Sequence, residues 1–375
     1  MRLKATIQRN LLFFKLAQAV EKVGKSLYIK FSKDFVAFGA NHGIGDDPNE
    51  GGGGLQCWSR LPAVNTRLTL RQSIIIRDKK IQSLMGALFY GYQIHSNSND
   101  EINIELKAED LLLAMKSAIN SSSVTMRMTG RTADPYLTFV VTTEDHLGNA
   151  RPITLDIPIL KILTASGAED THAFDEPGID DPDVYIMPPQ LDRLRNMLTS
   201  YKGLCDYVVI SANLQGDMVF TTSNGDILDD RDVPSLTPPQ TRTLSSGSRR
   251  GGGNEPSATE QIMRRYGEAE KAQVETRFSN LFNPPLAEAP QRNTDGTYDS
   301  RRDELKADRT INRPGKFDSV MIRVSDLQRV LQSQNVRPQN VICSLLDNQS
   351  ILFMVYMRDT DNATLVYFIP QAGCI

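Results

Sequence analysis

The chain has 375 residues, with 42 lysines and arginines against 45 aspartates and glutamates, a formal net charge of -3 and a pI near 5.9. This length allows two domains that each have a core. The charge excludes a uniformly basic protein that coats nucleic acid, so any attraction to phosphate must come from cations concentrated on one surface.

The cysteines and the apolar runs indicate a compartment. Cys57, Cys205, Cys343 and Cys374 follow neither a metal nor a disulfide spacing, which predicts reduced thiols inside the cell. No apolar run approaches the roughly 20 residues of a membrane-spanning helix. We therefore expect a soluble intracellular protein without a signal peptide.

The first 40 residues predict a strand, a basic amphipathic helix and a hairpin. Residues 3–8 alternate as a strand, Asn10 is placed to cap a helix, and Gly24 is placed to end it. Residues 27–31 and 35–39 form the hairpin. Apolar side chains share one face of this helix, and three cations lie off that face: Lys15, Lys22 and Lys25.

A second unit of the same kind follows. Residues 101–106 predict a strand, and Glu109 and Asp110 stand in the first turn of a helix, where the helix dipole favours carboxylates. Lys116 is the cation of this helix. Residues 124–129, 136–142 and 153–157 predict the next strands.

The second half of the chain repeats this plan twice. Residues 183–187 predict a strand, and a helix follows with Leu191, Leu194, Leu198 and Tyr201 on one face. The strands after it cover residues 207–212, 218–222 and 274–282. The last unit has a strand over 318–324, a helix capped by Ser325, and strands over 341–346, 350–356 and 364–369. The cations off the apolar faces of these two helices are Arg193, Arg195, Lys202 and Arg329.

The pattern predicts an α+β protein with two similar domains, each with two helices packed on antiparallel sheets. We place the first domain at residues 1–159, an acidic connector at 160–182 and the second domain at 183–375. Residues 61–88 do not fit the first domain, and residues 226–271 have the composition of a low-complexity insertion. The cations on the helices suit sequence-independent contact with a phosphate backbone, although a solvated helix face explains any single one of them.

Several stretches together resemble the Hus family, a subunit of the heterotrimeric DNA-damage checkpoint clamp and a relative of proliferating cell nuclear antigen. The resemblance covers nearly the whole chain outside the two insertions. Residues 61–88 have no counterpart in the family. A lineage-specific loop and translated intron sequence would each explain this. The stretches are residues 1–7, Leu55-Gln-Cys-Trp-Ser59, residues 103–118, Ile153-Thr-Leu-Asp-Ile-Pro-Ile159, residues 181–186, residues 208–216 and Leu365-Val-Tyr-Phe-Ile-Pro370.

This resemblance implies a sliding-clamp fold in which three different chains form a ring around duplex DNA. Helices line the hole, and the clamp supports checkpoint signalling and repair enzymes in the nucleus. On this mapping the eight cations named above face DNA, and the exterior is less positive. Two edge strands pair with the neighbouring subunits, and their residues are Ile153, Leu155 and Ile157 on one edge and Tyr207, Val209 and Ser211 on the other.

Two other functions compete with this one. A homotrimeric replicative clamp requires ring edges that are complementary within one chain. An enzyme requires a catalytic constellation, and the four histidines have no metal spacing. Asp180, Asp181 and Asp183 are a candidate cation site, but Asp-Pro turns in the connector explain them more simply. Residues 51–54 are a candidate phosphate-binding loop, but a flexible turn explains them more simply. We therefore expect no catalytic residue, no metal and no cofactor.

Overall fold

The structure, a computed structural model, describes residues 1–41, 54–63, 88–131, 134–144, 150–163, 182–223, 274–284, 314–357 and 364–372. Three of the predicted segments lie wholly or largely outside these residues: the atypical stretch 61–88, the connector 160–182 and the insertion 226–271. The domain boundary in the connector therefore stays a prediction.

Helices and strands alternate through both halves in the predicted order. The helices are α1 (Asn10–Glu21), α2 (Ala108–Ala118), α3 (Leu191–Tyr201) and α4 (Val324–Leu331), and a 3-10 helix (Gln332–Val336) follows α4 directly. The strands of the N-terminal half are β1 (Arg2–Ile7), β2 (Ser26–Phe31), β3 (Phe35–Asn41), β4 (Gln56–Pro62), β5 (Phe89–His95), β6 (Ile102–Lys107), β7 (Ser123–Arg131), β8 (Asp134–Glu144) and β9 (Ala150–Leu163). Those of the C-terminal half are β10 (Val184–Ile186), β11 (Tyr207–Ala212), β12 (Met218–Ser223), β13 (Glu275–Phe278), β14 (Asp318–Arg323), β15 (Pro338–Leu346), β16 (Ser350–Met357) and β17 (Thr364–Pro370).

All described strand pairs are antiparallel, and they form two sheets. The larger sheet has the order β10-β15-β16-β17-β4-β3-β2-β6-β9-β8-β7-β1-β5, and the smaller has the order β13-β12-β11-β14. The larger sheet crosses between the halves where β17 pairs with β4 from Thr364 opposite Arg60 to Phe368 opposite Gln56. The Ser59 hydroxyl donates to the Thr364 carbonyl at 2.9 Å across this joint.

The four helices and the 3-10 helix, together called the helix layer, bury their apolar faces in the same core as the strands. The apolar stripe of α1 is buried through Phe13, Leu16 and Val20, and that of α3 through Leu194 and Leu198. Helix α1 packs against α2 on one side and against the 3-10 helix on the other, while α3 packs against α4. The 3.6-residue period of each helix thus places its polar face away from the sheets.

Both predicted helix caps are wrong. Asn10 is the first residue of α1, and its Nδ2 donates to the Ser121 hydroxyl at 3.3 Å instead of its side chain capping the helix. Helix α4 begins at Val324, so Ser325 lies inside its first turn. The strand predicted over residues 274–282 is also shorter, because β13 ends at Phe278.

Gly216 fixes the turn that holds β13 in place. Its φ is +85°, and a Cβ there would stand 2.3 Å from the Leu281 carbonyl oxygen. That close approach carries the hydrogen bond from the Leu281 N–H to the Gly216 carbonyl at 2.8 Å. Gly203 has a similar φ of +89°, but open space surrounds the position of its Cβ.

Replacing these two glycines by alanine separates backbone strain from the close approach. Gly203→Ala is expected to lower the free energy of unfolding by about 1 kcal/mol, the cost of a left-handed backbone in a residue with a Cβ. Gly216→Ala adds the clash with Leu281 and is expected to cost about 1–3 kcal/mol more. Urea unfolding of the two variants measures the difference, and equal midpoints would contradict the assigned role of the close approach.

Candidate nucleic-acid interface and subunit edges

Most of the predicted DNA-facing cations are exposed on the helices or at the residues that end them. Lys116 is exposed on the last turn of α2, and Arg193 and Arg195 are exposed on α3. Lys22 and Lys202 are exposed at the residues that end α1 and α3. Five of the predicted cations are thus open to solvent on three helices or at their C-terminal ends.

Two of the predicted cations form ion pairs with carboxylates of the same chain. Arg329 Nη1 lies 3.0 Å from the Asp326 carboxylate one turn earlier on α4. Lys22 Nζ lies 2.9 Å from Glu21 Oε2. Since an exposed ion pair of this kind is weak, Lys22 remains open to a competing phosphate. Arg329 is half-buried, and its pair is the better shielded of the two.

The 3-10 helix links α3 to the rest of the layer through Gln334. With the Gln334 amide oriented to satisfy its neighbours, its oxygen accepts from the Arg195 guanidinium and its nitrogen donates to the Asp192 carboxylate. The guanidinium of Arg195 is therefore held in position while its side chain stays exposed.

Lys25 lies outside the helices, in the turn before β2, and its side chain is exposed. Its carbonyl accepts the Ala108 N–H at 3.0 Å, which ties this turn to the start of α2. The ammonium group is therefore carried at the end of the α1–α2 pair rather than on a helix face.

Lys15 occupies a different environment from the other cations. It is half-buried where α1 meets the 3-10 helix. Burial, and then the nearby Arg337 guanidinium, lower the pKa of Lys15 from its ordinary value. Arg337 was missed in the sequence because it lies outside every predicted helix, on the residue that joins the 3-10 helix to β15.

The opposite face of the N-terminal sheet also carries cations. Arg2, Lys4 and Arg127 are exposed, and Lys4 lies directly opposite Arg127 on adjacent strands. Their neighbours along β1, Leu3 and Ala5, point into the core. Positive charge is therefore not confined to the helices, and the less positive exterior implied by the family resemblance stays a prediction.

Among the described strands, the first half of β9 has a neighbour on one side only, and its role as a subunit edge stays a prediction. Residues 150–158 pair with β8 on one side, whereas β6 pairs only with residues 159–163. The Thr142 carbonyl accepts the Ser122 N–H at 2.9 Å, so the backbone polar groups of Thr142 point away from β9. Pro152 lies opposite Thr142 on β9, and its carbonyl therefore points away from β8.

Two prolines frame the hydrogen-bonding groups of this edge. The alternation of a strand gives Pro152, Thr154, Asp156 and Pro158 the same orientation. Proline has no N–H, so the outward donors between these residues are the N–H groups of Thr154 and Asp156. The N–H and C=O groups of Ile153, Leu155 and Ile157 face β8, so a neighbouring chain could contact only the side chains of these residues. Ile153 is 50% exposed, and Ile157 is buried.

The other predicted edge is wrong. Strand β11 lies inside the smaller sheet, with β12 on one side and β14 on the other over its whole length. Val209 and Ser211 are buried, and the Ser211 hydroxyl shares a 2.8 Å hydrogen bond with Ser319. Tyr207, Val209 and Ser211 therefore have no free backbone groups for a neighbouring chain.

Among the described strands, β13 stands at one end of the smaller sheet. Strand β12 covers one side of it. The far edge, β14, is partly covered, because the Met321 carbonyl accepts the Ala372 N–H at 2.8 Å and the Ser319 carbonyl accepts the Asn348 N–H at 3.0 Å. The Tyr201 hydroxyl donates to Thr276 Oγ1 at 2.6 Å and so ties β13 to α3.

The described residues give no support to the competing chemistry. No group of three His, Cys, Asp or Glu side chains among them is placed to hold a metal ion. Asp183 Oδ2 accepts the Asp347 N–H at 2.8 Å, which is a turn contact, and Asp180 and Asp181 lie outside the described ranges. Glu101 forms an ion pair with Lys30 at 3.0 Å. Cys57, Cys205 and Cys343 are free thiols, and no described helix is long and apolar enough to cross a membrane.

Comparison with known proteins gives the family and the fold. The family model described as Hus1-like protein matches residues 1–373. Checkpoint protein hus1 of Schizosaccharomyces pombe is 25% identical over 325 residues, which is 84% of this chain and 90% of that protein. Checkpoint protein HUS1 of Homo sapiens is 26% identical over 275 residues, which is 73% of each chain.

Solved sliding clamps share the architecture. The crystal structure of proliferating cellular nuclear antigen from Entamoeba histolytica has a TM-score of 0.55 at 9% identity and covers 98% of both chains. The PCNA of Thermococcus kodakaraensis has a TM-score of 0.51 at 13% identity and covers 98% of this chain and 100% of its own. These likenesses confirm the predicted sliding-clamp fold, and the family match confirms the resemblance on which the prediction depended.

Proposed function

This chain belongs to the Hus1-like protein family, and we propose that it is one subunit of a heterotrimeric checkpoint clamp that encircles DNA at damage sites. The observation that carries the proposal is a clamp fold with exposed cations on its helices and, among the described strands, edges in both halves that include the first half of β9 and β13. The names of the two relatives, both checkpoint proteins, favour this function over a homotrimeric replicative clamp.

The proposed partners follow from the two kinds of surface. Duplex DNA is bound without sequence preference, because lysines and arginines that contact phosphates carry no information about the bases. Two other clamp subunits pair with the edges, and a clamp loader and repair enzymes use the assembled ring as a platform. The chain acts in the nucleus as a non-catalytic scaffold, with no cofactor.

Each edge offers backbone hydrogen bonds that a neighbour completes. In the proposed ring, the Ile153–Ile157 segment of β9 meets one neighbour and β13 meets the other. β13 replaces the predicted edge at residues 207–211. An unpaired strand edge is a template for another strand. The framing prolines of β9 carry no N–H, so Thr154 offers an outward donor between them and helps to restrict the register of the incoming strand.

Proline substitution distinguishes the two sides of β9. Thr154→Pro removes an outward N–H and is expected to leave the urea midpoint of the isolated chain nearly unchanged while it reduces assembly with the partner subunits at least tenfold. Ile153→Pro removes an N–H from the β8 ladder and is expected to destabilise the isolated chain by about 3 kcal/mol. Unfolding curves and co-purification of the complex provide the two readouts. Normal assembly of Thr154→Pro would refute β9 as a subunit edge.

Charge reversal tests the helix layer. Replacement of Lys15, Lys22, Arg195 and Lys202 by glutamate is expected to weaken retention of the assembled ring on DNA without unfolding the chain. It should also lower the slope of log K against log salt by about 0.9 for each phosphate that the variant no longer neutralises. The matched control reverses Arg2, Lys4 and Arg127 on the opposite face. Equal losses of affinity from the two sets, or unchanged retention by the helix-layer variant, would contradict the proposed orientation.

A further inference from the structure

Three cations share the exposed face of the N-terminal sheet next to its end strand, β5. Lys4 lies opposite Arg127 on β7 and opposite Gln93 on β5, and Arg2 lies opposite His95 on β5. All five side chains are exposed. Among the described residues, no carboxylate forms an ion pair with Arg2, Lys4 or Arg127, which we call the cationic row.

Two carboxylates border the cationic row, and both are engaged by other groups. Asp100 lies 2.7 Å from Lys33 Nζ and 3.5 Å from His95 Nδ1. Asp156 lies beyond β8 and accepts from the Thr138 hydroxyl at 2.6 Å. The cross-strand neighbours of the cationic row therefore leave its positive charge open to a ligand.

Strand β5 has backbone groups that no described strand pairs. It stands at one end of the larger sheet, with β1 as its neighbour. The Gln8 N–H donates to the Leu88 carbonyl, so every second residue of β1 directs its backbone groups toward β5. Gln93 and His95, which lie opposite such residues, bond to β1 in return. The N–H and C=O groups of Ile94, between them, therefore point away from β1.

This edge of β5 is short. Gly91, with a φ of +59°, lies at the shift of register between β1 and β5. Beyond the other end of the strand, the Ser96 N–H already donates to Asp100 Oδ1 at 3.0 Å. Since a bulge interrupts strand pairing, the regular edge covers residues 92–95. It has room for one short extended segment.

The two faces of β5 differ in character. Gln93 and His95 lie on the face of the cationic row. Tyr92 and Ile94 are half-buried on the other face, where they pack against the core. A strand added beside β5 continues both faces with alternate residues. Acidic side chains on one face would then meet the cations, and apolar side chains on the other would extend the core.

We propose that the edge of β5 and the cationic row together bind an extended segment of a partner protein in which acidic and apolar residues alternate. The edge pairs with a peptide backbone, which duplex DNA lacks, and the cationic row selects acidic side chains by charge complementarity. Strands lie about 4.8 Å apart, so the added strand stands about 10 Å from β1, a gap that long charged side chains span. The surface lies in one half of one chain and does not depend on the proposed ring.

A synthetic nine-residue peptide, with glutamate at every second position and valine between, tests the proposal on the full chain. Lys4→Gln is expected to weaken peptide binding about two- to fivefold at low salt, since it removes one exposed charge contact. Lys107→Gln is the matched control, because Lys107 is also exposed on a strand of the larger sheet. Fluorescence anisotropy of the labelled peptide gives both affinities. Equal affinities of the two variants would overturn the role of the cationic row.

Methylation of the peptide backbone tests the strand pairing. The N–H groups of a strand point alternately to its two sides, so methylation of the glutamates and methylation of the valines block opposite sides. One methylated peptide is expected to bind about tenfold more weakly, and the other to keep its affinity. The unmodified peptide should slow hydrogen exchange of the Ile94 N–H. Equal affinities of the two methylated peptides, or unchanged exchange at Ile94, would refute β5 as the binding edge.

Duplex DNA is the competing ligand for the cationic row. The proposal predicts that Lys4→Gln leaves the affinity of the chain for a short duplex unchanged while it lowers the affinity for the peptide. Loss of duplex affinity with unchanged peptide affinity would contradict the proposal and assign the row to nucleic acid. These measurements use the chain by itself, so failure of the chain to enter a ring would refute the proposed function without deciding this surface.

Discussion

The pairing of β17 with β4 is the constraint on which the rest of the molecule depends. It joins the last strand of the chain to the fourth, so that two halves separated by a long stretch of sequence share one sheet. The joint is sealed by buried side chains, among them Cys57 and Tyr367, and desolvation raises the pKa of both groups. Helices of the two halves also meet, because α1 packs against the 3-10 helix that follows α4.

The helices give a chain with a net charge of -3 several exposed cations that can be proposed as a DNA-facing surface. The apolar stripes of the four helices are used against the sheets, and the polar faces remain on the other side. Lysines and arginines placed off the stripes are therefore gathered by the fold rather than by local sequence. The exposed cations on β1 and β7 show that the fold gathers charge on the exterior as well, so the total charge of a face says less about DNA than its geometry.

The sequence predicts much of the fold for a simple physical reason. A helix with Leu191, Leu194, Leu198 and Tyr201 at steps of three and four has one way to bury its apolar face, and the strands around it alternate with a period of two. Strand neighbours in space are harder to predict. Residues 153–157 and 207–211 have similar apolar alternation, yet the first is an edge and the second is interior, because long-range pairing with β14 decides the outcome.

The candidate site was predicted in part for the same reason. Cations on helices were found from their spacing, whereas the pairing of Arg329 with Asp326 and the position of Arg337 depend on tertiary contacts. Arg337 carries no local signal, because the left-handed backbone of an arginine before a proline is not visible in a pattern of apolar residues. The prediction of the Asn10 cap was wrong for a similar reason, because the Asn10 side chain donates to the hydroxyl of Ser121, 111 residues away in sequence.

The central claim is that two different chains pair with this one, at the first half of β9 and at β13. Native mass spectrometry of the chain alone and after co-expression with the two candidate clamp partners tests it most directly. The account predicts a monomer alone and a one-to-one-to-one complex after co-expression. A stable homotrimer of the chain alone would contradict it and would support the replicative clamp instead.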